Sequence, residues 1–171
     1  RWLHERGAVV RDKAGTPLKM LGVVQDIDER IRAQKALLES QQKLKGLFEL
    51  SPLGIALTDM SGKYIEFNEA FREICGYPEK ELKELDYWKL TPSEYAQQEA
   101  TQLEMLEKTG GYGPYEKEYR RKNGSLVPVR LNGIVVQDHN NDECIWSIVE
   151  NITDSKLATA ELNRFKTTLD M

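Results

Sequence analysis

Hydrophobic positions along this chain recur with two different periods, and the places where the period changes mark its elements. Near the start, Gly7-Ala8-Val9-Val10-Arg11-Asp12 and Gly22-Val23-Val24-Gln25-Asp26-Ile27 are β-branched runs separated by a polar turn. That pattern predicts an antiparallel hairpin. The same pair returns near the end as Gly133-Ile134-Val135-Val136-Gln137-Asp138 and Ser147-Ile148-Val149-Glu150-Asn151-Ile152, with a slightly shorter spacer. The chain therefore carries an internal repeat. A hairpin standing alone is marginal in water, so residues 1–28 read as the C-terminal hairpin of a preceding, truncated domain whose complete counterpart occupies residues 51–154.

Each hairpin runs into a heptad pattern. Ala33, Leu37, Ser40, Leu44 and Leu47 are spaced alternately four and three apart, and Ala158, Leu162, Phe165 and Leu169 repeat that spacing. Counted from the hairpin ends, Ala33 corresponds to Ala158, Leu37 to Leu162 and Leu44 to Leu169, so both seams keep one phase. The pattern predicts linker helices over 29–50 and 155–171, the first spanning roughly 33 Å. Such a seam either packs on its own domain or zips two copies into a parallel coiled coil. The shared phase favours the second, and with it a homodimer. Phe165 to Met171 is similar to Leu44 to Leu50, the run that leads into the complete domain, so a further domain is expected beyond Met171.

Between the linkers, Gly54 to Thr58 and Lys63 to Phe67 form a second kind of hairpin around Asp59-Met60-Ser61-Gly62, with Asp59 as turn acceptor and Gly62 free to take positive φ. Asn68 fits an N-cap and Gly76 a C-terminal stop for the short helix carrying Phe71, Ile74 and Cys75. Pro78 opens another short helix, and a longer one is expected from about Pro92 to Lys108. Strands follow at Tyr115 to Lys122, Leu126 to Gln137 and Glu143 to Ile152. Strand, strand, short helices, long helix and three strands make the fold α+β.

In order and spacing, Gly54-Ile55-Ala56-Leu57-Thr58-Asp59, Gly62, Ile65-Glu66-Phe67-Asn68-Glu69-Ala70-Phe71, Gly76-Tyr77, Tyr119-Arg120-Arg121-Lys122-Asn123-Gly124-Ser125 and Trp146 to Asp154 resemble a sensory PAS domain with its C-terminal PAC portion. The resemblance implies a five-stranded antiparallel sheet with helices on one face, a cavity between them, and a multi-PAS bacterial signalling protein with a histidine kinase or diguanylate cyclase as output. It also lets cofactor types be compared residue by residue. Leu85-Asp86-Tyr87-Trp88 stands where a light-sensing flavin type carries its reactive cysteine, and residues 92–108 hold no histidine for haem, so covalent-adduct flavin and haem are both disfavoured. Trp88 keeps a non-covalent flavin redox sensor open, against a plain role as a core aromatic.

On the strand from Leu126, alternation puts Val127, Val129, Leu131 and Gly133 on one face. By the resemblance that face lines the cavity, together with Ser147 and Val149. The lining so drawn is apolar and nearly uncharged, suited to a small neutral ligand or to none; a larger side chain at Gly133 is expected to fill it. Trp146 and Ile148 point the other way, toward a cover supplied by the helix around Leu44 to Leu50 or by a partner subunit.

Composition narrows the rest. Of 171 residues, 40% are hydrophobic and 30% charged, a profile that folds, and the net charge of -4 is interspersed without a basic stripe for nucleic acid. No apolar run approaches the roughly 20 residues of a membrane span. The two cysteines, Cys75 and Cys144, read as reduced core thiols and the location as cytoplasmic, whether or not the parent protein is membrane-anchored. His4 and His139 read as solvated. No phosphate-binding loop, metal spacing or activated nucleophile appears. Glu116, Lys117 and Glu118 read as solvated charge, Asp59 and Glu66 as turn and surface residues, and the segment as no enzyme. Two readings follow: a ligand-binding sensory module that relays its state through helical linkers, or a ligand-free module for dimerisation and relay.

Overall fold

The structure is a computed structural model; it describes residues 3–169, and side chains as far as Lys166. The seam position Leu169 thus has its backbone in a helix but its side chain outside the described residues. The chain divides into two compact units, Arg1–Gly46 and Leu47–Met171.

In the first unit, β1 (Leu3–Arg11) and β2 (Pro17–Asp26) pair antiparallel with Gly7 opposite Gly22. Asp12 Oδ1 accepts the N–H groups of Ala14 and Thr16, each at 2.8 Å, while Gly15 takes a φ of 86° that an L side chain resists. Helix α1 (Asp28–Glu49) follows directly and buries none of its residues.

The second unit holds β3 (Gly54–Asp59), β4 (Tyr64–Phe67), β5 (Gly111–Arg120), β6 (Leu126–Gln137) and β7 (Glu143–Asn151) in one sheet of order β4-β3-β7-β6-β5, antiparallel throughout. Its β6–β7 hairpin reproduces the β1–β2 hairpin. Gly133 stands opposite Ser147 as Gly7 stands opposite Gly22, and Asp138 Oδ1 accepts from Asn140 and Asp142 at 2.8 and 2.9 Å. Asp26 and Asn151, equivalent in the repeat, each accept the N–H two residues on, at 3.1 and 3.0 Å, where a helix begins. The repeat read from the sequence is thus a repeat of register and turn chemistry.

The helices α2 (Glu69–Cys75), α3 (Glu79–Leu82), α4 (Tyr87–Leu90) and α5 (Ala96–Thr109) lie between β4 and β5 in the chain, and α6 (Thr153–Leu169) follows β7. Along β6, Val127, Val129, Leu131 and Gly133 are buried and Arg130, Asn132 and Ile134 exposed. The buried set joins Phe71, Ile74 and Cys75 of α2, Leu82 of α3 and Leu90 of α4 in one core. Helices therefore cover this face of the sheet, as a half-buried antiparallel sheet requires. Two boundaries differ from expectation. The long helix starts with a 3-10 turn at Ser93–Tyr95 behind Pro92. Strand β5 starts at Gly111 rather than Tyr115, because Gly113 and Pro114 hide its alternation where the ladder shifts register. β5 is an edge strand, so the missing Pro114 donor is tolerated.

Asn68 ties these layers together. Its Oδ1 accepts from Phe71 N at 3.0 Å, capping α2, and from Ile55 N at 2.9 Å on β3; its Nδ2 donates to the carbonyls of Phe48 and Leu53, both at 2.9 Å. The last turn of α1 is thereby fixed to the sheet, and the Phe48 ring meets Trp146 edge-on with centroids 6.1 Å apart. Gly76 closes α2 with a φ of 72°. Replacing Asn68 by Ala removes an N-cap and leaves buried groups unpaired, so Asn68→Ala is expected to cost about 3 kcal/mol in urea unfolding. The exposed Gln97→Ala is expected to stay within about 0.5 kcal/mol. An Asn68→Ala loss below about 1 kcal/mol would contradict this role.

Candidate functional site

Between the helices and the inner face of the sheet lies a cavity of about 50 Å³. At roughly 10–15 Å³ per water on this scale, it admits about four waters or a molecule of a few heavy atoms. Ala56, Phe71, Leu106, Leu131 and Val149 supply apolar wall. The remainder of the lining is unlike the expected one: it carries Glu99, Lys117 and five tyrosines, Tyr64, Tyr87, Tyr112, Tyr115 and Tyr119.

Glu99 and Lys117 form a buried ion pair, Nζ to Oε1 at 2.8 Å, with side chains 3% and 1% exposed. The reading of Lys117 as solvated charge is thus corrected. Strand alternation puts Tyr115, Lys117 and Tyr119 on the inner face and Glu116 on the outer one. On α5, Glu99 sits one and two turns before Leu103 and Leu106, on the stripe that faces the sheet. Tyr115 donates to the same Glu99 oxygen at 2.6 Å, and Lys117 also donates to Thr91 Oγ1 at 2.9 Å. The ammonium lies 5.1 to 5.5 Å from the ring centroids of Tyr87, Tyr115 and Tyr119, close enough for cation–π attraction. Burial pulls the Lys117 pKa down, and the Glu99 charge and hydrogen bond oppose that pull.

Two glycines position two of the tyrosines. At Gly62, with φ 90°, a Cβ would stand 2.4 Å from the Tyr87 ring, so the bare residue lets that ring fold over the β3–β4 turn. Asp59 Oδ1 holds the same turn by accepting from Ser61 N at 2.9 Å and Lys63 N at 3.0 Å. At Gly133, a Cβ would meet the Tyr112 ring at 2.5 Å and the Trp146 carbonyl oxygen at 2.8 Å. Tyr112, opposite Gly133, therefore lies across β6 and donates to Ser147 Oγ on β7 at 2.7 Å. The expectation that a larger residue at Gly133 would merely fill a pocket is overturned, since backbone blocks it.

Of the residues expected at the cavity, Leu131, Ser147 and Val149 line it. Val127 and Val129 are buried in the adjoining core, and Gly133 lies under Tyr112. Trp88 is 43% exposed and stacks on the outer side of Tyr87 at 4.4 Å between centroids, so it is neither cavity wall nor core aromatic. The neighbouring aromatic, Tyr87, takes the place assigned to it. Cys75 sits in the core, where burial raises its thiol pKa.

Residues 52–154 match the PAS domain family. The chain is 32% identical over 145 residues to the sensor histidine kinase TmoS of Ectopseudomonas mendocina, an alignment covering 82% of this chain and 15% of that protein. It is 29% identical over 135 residues to the probable diguanylate cyclase DgcE of Escherichia coli (strain K12), covering 77% of this chain and 12% of the relative. The chain thus spans a small part of both relatives. Among solved structures, a PAS domain of a protein from Colwellia psychrerythraea superposes with a TM-score of 0.59 at 18% identity, covering 69% of this chain and 98% of that one. Among the described residues, no helix is long and apolar enough to cross a membrane.

Burial raises the pKa of every cavity tyrosine, that of Tyr112 to about 12. A tyrosine whose folded pKa exceeds its unfolded value of 10.0 adds stability that is complete below pH ~10 and is lost as pH rises through the folded value. Absorbance of tyrosinate should therefore lag in the folded protein above pH ~10 and rise abruptly as the chain unfolds in alkali. A smooth titration of all seven tyrosines near pH 10 would contradict the buried arrangement.

Proposed function

The chain belongs to the PAS domain family, and from that premise we propose that residues 51–154 are a sensory module that binds a small molecule in the cavity and relays its presence through α1 and α6. The supporting observation is the cavity itself, lined by an ion pair and tyrosines rather than packed shut with aliphatic side chains. The cavity has room for about four waters, so the ligand of this reading is smaller than a flavin ring system.

A relay has a physical basis in β5. Lys117 faces the cavity, and its neighbour Glu116 faces outward to Arg130 Nη2 at 3.0 Å and to Lys156 Nζ of α6 at 3.1 Å. Any displacement of Lys117 is thus shared one residue away with a contact on the departing helix. These outer pairs are half-exposed and weak, which suits a contact that must yield.

In this reading the linkers pair two copies. Leu37, Leu44, Leu162 and Phe165 are 59%, 64%, 55% and 70% exposed within one chain, leaving an apolar seam for a second helix. Residues 1–28, with their equal register and turn, serve as the closing hairpin of a preceding PAS copy. The module catalyses nothing itself and acts on an output domain of the histidine kinase or diguanylate cyclase kind.

The freshly purified chain, weighed under native and then denaturing conditions, is expected to be a dimer carrying a small mass that denaturation releases. Leu37→Lys and Leu44→Lys should each shift it toward monomer. A mass-clean monomer, indifferent to both substitutions, would contradict the reading.

A further inference from the structure

We infer that the cavity takes a small neutral molecule bearing a hydrogen-bond-accepting oxygen, such as a short ketone, amide or alcohol, with Tyr64 and Tyr87 as the donors. This assignment rests on the sensory reading above. Among the described residues, the buried side-chain polar atoms left without a partner are the hydroxyls of Tyr64 and Tyr87 and Nε of Arg121. The two hydroxyls belong to residues that line the same cavity, and Tyr64 is only 4% exposed. Several neighbouring polar groups are matched: Tyr112 with Ser147, Tyr115 with Glu99, Gln102 Oε1 with Gly113 N, and Lys117 with both Glu99 and Thr91. Buried hydroxyls are unfavourable when unpaired, so these two are the groups that a guest would satisfy.

The other properties follow from the same walls. Glu99 and Lys117 cancel each other's charge, so an ionic guest would enter a desolvated site with no counter-ion of its own. Ala56, Phe71, Leu106 and Val149 offer only apolar contact to the rest of the molecule. A volume of about 50 Å³ limits that remainder to a short chain or small ring. A purely hydrocarbon guest would fill the space and leave both phenols unpaired.

Four probes of matched size separate the classes: butan-2-one, the hydrocarbon 2-methylbut-1-ene, the anion propanoate and the cation sec-butylammonium. In titrations of the full chain followed by amide NMR shifts, the ketone is expected to bind about tenfold tighter than the alkene, and both ions more weakly still. Tyr64→Phe and Tyr87→Phe, checked for an intact amide spectrum, should each weaken the ketone several-fold and leave the alkene unchanged. Tightest binding by the alkene or by either ion would overturn the ligand class while leaving the sensory reading in place. Failure of all four probes would overturn it too. If the purified chain then carried some other releasable mass, only the ligand class would fall; with no such mass, the sensory reading would fall with it.

Discussion

A carboxylate and an ammonium buried to within a few per cent of full enclosure have to find each other, and much of the second unit is arranged around that requirement. Desolvating either ion alone is so unfavourable that α5 and β5 are compelled to approach in one geometry. Tyr115 and Thr91 take up the hydrogen bonds the pair leaves over, and the Tyr87, Tyr115 and Tyr119 rings surround the ammonium. Large planar rings cannot interdigitate as aliphatic side chains do. The space left between them is the cavity.

Under the proposed function, sensing and relay share one strand. The two-residue period of β5 places Lys117 inside and Glu116 outside, so the ammonium in the cavity wall and the strand's contact with Lys156 of α6 sit on adjacent residues. At the other end of the sheet, Asn68 joins α2, β3 and the last turn of α1 through one side chain. The entering and leaving helices are thus each held to the sheet at a defined point.

What was legible in the sequence was local or repeated. The turns at Asp12, Asp59 and Asp138 follow from an aspartate accepting two nearby N–H groups, and the duplicated hairpin is legible in its matching β-branched runs. The inner face of β6 was readable from simple alternation. The ion pair was not, because Glu99 and Lys117 lie on different elements and charged residues are read as solvated by default. A signal existed: Tyr115 and Tyr119 flank Lys117 at period two, and Glu99 shares a helical stripe with Leu103 and Leu106. The choice of Trp88 over Tyr87 failed by a single residue, which on the four-residue helix α4 turns a side chain from the cavity to its outer side. Tyr112 was hidden because Gly113 and Pro114 mask the start of β5.

The measurement that bears most directly on this account is a double-mutant cycle between Glu99 and Lys117, read by urea unfolding. Lys117→Met alone should cost about 3–5 kcal/mol, because it strands the Glu99 carboxylate. Adding Glu99→Leu should recover more than half of that loss, a coupling of at least about 2 kcal/mol. Strictly additive losses, or a Lys117→Met variant as stable as the parent, would show that the pair does not organise the site.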